Sequence, residues 1–222
     1  MKAYLGFLAL AFAASAAIAG DGKHCHENSM PPAVSDNATK GYQDAMQRMH
    51  REMDIRYTGD PDTDFAAGMI PHHQAAIEMA RVELAYGKNP EMRSLAKTII
   101  FFQEQEIAWM KHWLETRASS NPHSSSTEEY KKAAMKMHED MNVAYTGNPD
   151  VDFARGMIPH HQGAVDMAAV VVRYGRTPEM VKLAQGIISG QLAEIGLMKA
   201  WLAKQPKLPS PSPKPMHHMH HE

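Results

Sequence analysis

Gly68-Met69-Ile70-Pro71-His72-His73-Gln74 and Gly156-Met157-Ile158-Pro159-His160-His161-Gln162 are the same seven residues, 88 positions apart. The match extends outward without gaps. Residues 42–114 align with 130–202, and about 40 of those 73 pairs are identical. The chain is therefore a tandem duplication, and each copy can carry the same site.

Each copy reads as three helices. In the first, Tyr42, Met46, Met49 and Met53 fall at i, i+4, i+7 and i+11, a heptad-like seam that predicts helix over about 39–56. Gly59 and Pro61 stop it. The second helix begins near Asp62–Asp64, acidic residues suited to a helix N-terminus, and ends at Gly87. Pro71 falls inside it, so a kink or break is expected near Ala67-Gly68. The third follows Pro90, with Met92, Leu95, Ile99, Gln103, Glu106, Met110 and Trp113 along one face. Helices of ~18 to 26 residues span about 27 to 39 Å. Short connections then make each copy an antiparallel bundle. The fold class is all-α: a duplicated three-helix antiparallel unit.

Outside the repeats the chain changes character. Lys2, an apolar stretch over 5–17 and the small-x-small triplet Ala17-Ile18-Ala19 read as a secretory leader, 1–19, cleaved after Ala19. No other stretch has the ~18 apolar residues of a membrane span, so the expected location is periplasmic or secreted with no membrane anchor. The remaining segments are an N-terminal tail (20–38), the first repeat (39–118), a Ser-rich linker (119–127), the second repeat (128–204) and a Pro/Ser-rich segment with a terminal tail (205–222). A single cysteine excludes an internal disulfide. A net charge of −2 argues against nucleic acid as partner. The loud compositional signal is 18 Met and 14 His, neither of them common in soluble domains.

Antiparallel pairing gives a register. About the turn near residue 88, His73 lies level with Gln103, and Met69–Ile70 with Glu106. About the turn near residue 60, Met46 lies level with His73 and His50 with Met69. Met46, Met49, His50, Met69, His72, His73, Gln103, Glu106 and Met110 thus converge in the first repeat, and Met53 on the same seam is a further candidate ligand. Met137, His138, Met141, Met157, His160, His161, Gln191, Glu194 and Met198 converge in the second, where Ala134 replaces Met46. Gln103 and Glu106 interrupt an apolar face and recur at Gln191 and Glu194; a carboxylate there must be paired, hydrogen-bonded or metal-linked. Imidazole suits copper and zinc, whereas thioether sulfur selects Cu(I) and, by the same softness, Ag(I). Thioethers do not titrate, so they keep binding where thiolates protonate or oxidise.

Structural readings stand beside these. Methionine fills irregular cores, and Met79, Met92, Met167 and Met180 are as well explained by packing. Adjacent helical histidines point about 100° apart, so one of each pair is expected to face the core. Glu106 and Glu194 serve equally as ligands or as partners orienting an imidazole. The acidic turn around Asp60, Asp62 and Asp64 reads as helix capping rather than a calcium loop. The ends repeat the theme: His24-Cys25-His26 is a compact chelator, and Met216, His217, His218, Met219, His220 and His221 interleave both residue types. A purification tag is the plain alternative for the latter, against which the interspersed methionines speak. Cu(II) is the added candidate for the His-rich tails.

The Gly-Met-Ile-Pro-His-His-Gln motif follows a Gly-Asp/Asn-Pro-Asp-x-Asp-Phe turn and precedes a helix with Gln-x-x-Glu-Ile and Met-Lys-x-Trp-Leu. In this the chain resembles the bacterial domain of unknown function 305 family over both repeats. The resemblance implies a ferritin-like helical bundle, Cu(I) and Ag(I) binding and a role in copper tolerance. By motif position it points to Met69, His72 and His73 with their mates Met157, His160 and His161. It implies no catalysis. A di-iron enzyme would need Glu-x-x-His pairs, and the chain contains none. The expected function is extracytoplasmic sequestration of Cu(I). A copper chaperone delivering to an export system and a structural or interaction module with a Met-rich core remain alternatives.

Overall fold

The structure, a computed structural model, describes residues 32–116 and 124–206. The leader, the His24-Cys25-His26 tail, part of the linker and the Met216–His221 run lie outside the described residues. Six helices follow in order: α1 (Pro32–Glu52), α2 (Pro61–Tyr86), α3 (Pro90–Thr116), α4 (Ser124–Asp140), α5 (Pro149–Tyr174) and α6 (Pro178–Leu202).

The acidic turns are capping devices. Asp60 accepts from the Thr63 amide at 2.8 Å and opens α2, with Pro61 as its first residue. Asp64 accepts from the Thr58 amide and hydroxyl, each at 2.7 Å, and from the Gly59 amide at 2.9 Å. That closure requires φ of 84° at Gly59, the left-handed region glycine tolerates. Asp152, Thr146 and Gly147 (φ 81°) repeat the turn before α5. The kink or break expected around Ala67-Gly68 is not a break, for α2 stays helical through Pro71. An internal proline costs roughly 3 kcal/mol. Here α2 is buried on nearly every side, from Phe65 to Ala80, and packing outweighs that cost.

The central helices α2 and α5 pack on each other, α1 and α3 flank α2, and α4 and α6 flank α5. The contacts between repeats are reciprocal. Tyr42 donates its hydroxyl to the Pro149 carbonyl at 3.1 Å, and Tyr130 donates to the Pro61 carbonyl at 2.8 Å. Tyr42 stacks on Tyr145 and Tyr130 on Tyr57. Asp62 accepts from the Thr177 amide and hydroxyl at 2.9 and 2.6 Å; its mate Asp150 accepts from the Lys88 and Asn89 amides at 2.9 and 2.7 Å. Contacts that exchange under a shift of 88 residues define a pseudo-twofold axis.

Neither hydrophobic core belongs to one repeat. The first joins Tyr42, Met49, Met79 and Met92 to Phe153, Met157, Met198 and Trp201. The second joins Phe65, Met69 and Met110 to Tyr130, Met167, Val171 and Met180. Between those two cores α2 and α5 carry the motif histidines, and α3 and α6 carry Gln103, Glu106, Gln191 and Glu194, interspersed with buried Pro71, Ile107 and Ile195. A polar layer therefore separates two methionine-rich cores.

Candidate metal centre

His72 on α2 meets His160 on α5 with ring centroids 3.8 Å apart and planes tilted by 46°. Both are completely buried. Equivalent residues that touch must straddle the symmetry axis, so this pair lies on it. His73 and His161, rotated about 100° on their helices, turn instead to their own repeat. His73 Nε2 lies 2.8 Å from Glu106 Oε2, and His161 Nε2 lies 2.7 Å from Glu194 Oε2. The expectation that one histidine of each pair faces the core is corrected: all four are 0% exposed. The reason is that α2 is covered by α3 on one side and by α5 on another. The partner of His73 is Glu106 rather than Gln103, one helical turn along; Gln103 and Gln191 are buried beside the layer.

Burial, and then the neighbouring imidazoles, hold His72 and His160 well below the usual histidine range. Both rings are neutral at physiological pH and carry a free lone pair. His73 and His161 engage the carboxylates through Nε2, which leaves Nδ1 of each as the ring nitrogen that no partner occupies. Both ring nitrogens of His72 and His160, and Nδ1 of His73 and His161, are buried without a hydrogen-bond partner. Gln103 Oε1 and the side-chain amide of Gln191 share that condition. Each such atom costs roughly 1–3 kcal/mol. The arrangement offers several unprotonated nitrogen donors in a dry setting, with second partners already orienting two of the rings.

Thioethers lie above and below this layer. Met69 and Met157 are buried one turn before His72 and His160 on the same helices, where side chains three apart are neighbours. The Met137 sulfur packs on Gly163, one turn after His160, only 2.6 Å from where a Cβ would stand. Its mate Met49 faces Ala75, which has that carbon. Met46, Met49, Met137, Met141, Met157 and Met198 line the first core, Met69 and Met110 the second, and the half-buried Met53 touches both. The residues expected to converge in one repeat are thus distributed between two shared cores. Among the described residues, no group of three or more His, Cys, Asp or Glu is poised around one point. Sulfur would have to complete any higher coordination.

His50 and His138 form a second cross-repeat pair, separate from the buried layer. Their rings are 4.3 Å apart, with His50 Nε2 and His138 Nδ1 at 3.3 Å. They stand in the last turns of α1 and α4, His138 exposed and His50 half-buried. Neither pairing across the repeats was visible in the sequence, which does not reveal the axis. One signal was available: outside the stripe of Gln74, Glu78 and Arg81, α2 is rich in small and apolar residues on its other faces, the mark of a helix largely covered by others. A cleft of about 350 Å³ lined by Tyr86, Lys88, Pro149 and Asp150 contains none of these histidines. Among the described residues, no helix is long and apolar enough to cross a membrane.

The sequence profile of the domain of unknown function DUF305 matches residues 62–148 and 150–222. CopM, solved in a silver-bound form, shares 36% identity and superposes with a TM-score of 0.50, covering 67% of this chain and 97% of CopM. A DUF305 protein of Streptomyces coelicolor, provisionally described as secreted, shares 26% identity at a TM-score of 0.53, covering 67% of this chain and 95% of its own. An uncharacterized protein of Acanthamoeba polyphaga mimivirus is 38% identical over 60 residues, which is 27% of this chain and 40% of that relative.

Proposed function

Because this chain belongs to the DUF305 family, and because its histidine motif builds a buried layer, we propose that it binds soft monovalent ions, Cu(I) above all and Ag(I), and sequesters them. The observation that carries the reading is the facing pair His72 and His160: fully buried, in ring contact, with ring nitrogens that no side chain engages and that meet only a weak contact from the other histidine's backbone. Two neutral imidazoles suit a d¹⁰ ion that accepts few ligands, and thioethers favour Cu(I) over harder competitors. His73 and His161, oriented by Glu106 and Glu194, would supply further nitrogen from Nδ1. Met69, Met157 and Met137 are the nearest candidates for sulfur. The silver-bound state of CopM supports metal as the cargo.

Burial favours retention over delivery. A chaperone must present its ion to a partner, such as an export system, whereas this pair is screened by α2 and α5. The leader-like segment and the Met- and His-rich ends support capture outside the cytoplasm, and copper tolerance is the physiological role we assign. No residue is given a catalytic role.

An anaerobic titration with Cu(I) against a chromogenic chelator tests this on the full chain and on variants. His72→Ala with His160→Ala should remove the tightest equivalent, while Met92→Leu with Met180→Leu should spare it. Equal losses from both pairs, or no loss from either, would overturn the assignment.

A further inference from the structure

We propose that His50 and His138 form a surface clip for a borderline divalent ion of the Zn(II) or Cu(II) class, bridging the two repeats and distinct from the buried soft-metal layer. His50 Nε2 and His138 Nδ1 lie 3.3 Å apart, within hydrogen-bond reach of one another in the absence of metal. That separation also fits two nitrogens on one metal: bonds of about 2.0–2.1 Å meeting at a tetrahedral angle separate the donors by about 3.3–3.4 Å. The rings belong to different helices and are tilted by 55°, so an ion held by both would tie α1 to α4. Both residues sit in the last turn of their helices, where the backbone carbonyls of α1 and α4 add partial negative charge beside a cation.

The two histidines are equivalent under the 88-residue repeat. The clip therefore straddles the same axis as His72 and His160, but at the surface. Among the described residues no third His, Cys, Asp or Glu completes a preformed set. The remaining coordination positions fall to water or to a ligand from solution, which makes the ion exchangeable. Imidazole nitrogen suits borderline ions, and the thioethers one turn along, Met53 and Met141, are taken up by the hydrophobic cores.

The test is thermal unfolding of the full chain with and without Zn(II), compared with His50→Gln and His138→Gln. A clip tying α1 to α4 stabilises the folded body, whereas metal held on the terminal segments does not. Saturating Zn(II) should raise the wild-type midpoint by about 5–10 °C. Either glutamine variant, each folded normally in chelator, should lose that rise and one bound equivalent. His138 is exposed, so its variant serves even if His50→Gln lowers the midpoint by itself. A rise that survives either substitution, or no rise in the wild type, would overturn the clip. Cu(I) equivalents measured on the same variants report separately on the buried layer, so failure of one site is not mistaken for failure of the other.

Discussion

Glu83 offers the sharpest physical test of how the repeats are joined. It is a fully buried carboxyl on α2, where the second repeat has Val171. The Tyr42 hydroxyl, which donates to the Pro149 carbonyl, lies 3.4 Å from the Glu83 carboxyl, and Arg93 spends its guanidinium on the Leu84 and Gly87 carbonyls at 2.7 and 2.9 Å. Burial, then proton sharing with Asp150 of the other repeat and the charge of that carboxylate, push Glu83 from 4.5 up to about 8. Tyr42 and Arg93 pull the other way without prevailing. The native state thus keeps a proton that the unfolded chain releases. Stability from this group is complete below pH 4.5, falls as pH rises, and is lost once pH passes about 8. A full shift of this size would amount to about 5 kcal/mol at 1.36 kcal/mol per unit. Relaxation of the native state when the carboxyl ionises recovers part of it, and we expect about 2–3 kcal/mol between pH 5 and pH 8. Glu83→Gln keeps the shape and removes the titration. Urea unfolding at pH 5, 6.5 and 8 in chelator should show the variant gaining on the wild type as pH rises. His72 and His160 tilt both curves the opposite way, since buried neutral imidazoles lose stability as pH falls through 6.5; the difference between the two proteins isolates Glu83. Parallel curves would refute the reasoning.

Three other tests probe the layer and its frame. Glu106→Gln or Glu194→Gln, which weakens the acceptor holding His73 or His161, should lower Cu(I) affinity by about 10–100-fold in the chelator competition; Glu104→Gln, on an exposed pair with Arg81, should leave it unchanged. Gly163→Ala should drive Met137 off α5 and cost about 1–3 kcal/mol, read as a lower urea midpoint, because the new carbon would meet the Met137 sulfur at 2.6 Å. Tyr130→Phe removes a buried hydrogen bond to Pro61 and should cost about 0.5–1.5 kcal/mol by the same measurement.

Much of this was legible in the chain itself. The Met46–Met49–Met53 seam, the Gly59 and Gly147 turns and the capping aspartates each follow from local rules of spacing and capping; α2 and the start of α3 fall where those rules place them, whereas α1 begins at Pro32, seven residues before the start expected from the seam, and ends at Glu52 rather than near Arg56. The His73–Glu106 pair lay within one turn of the estimated register, because a short turn fixes how antiparallel helices slide. The pairing of His72 with His160 was not legible. It depends on how two amphipathic units choose to face each other, and that choice is made by long-range contacts such as Tyr42 with Pro149 and Asp62 with Thr177. The same long-range packing explains the continuity of α2 through Pro71 and the burial of both histidines in each pair. Local propensity describes a helix alone, and α2 is enclosed.

The most direct test is anomalous diffraction from crystals of the full chain soaked in Ag(I). Capture in a layer shared by the repeats predicts an anomalous peak on the pseudo-twofold axis, within bonding distance of His72 and His160. Silver confined to the terminal segments or to surface methionines, with that pair unchanged, would contradict it and leave the buried histidines as packing alone.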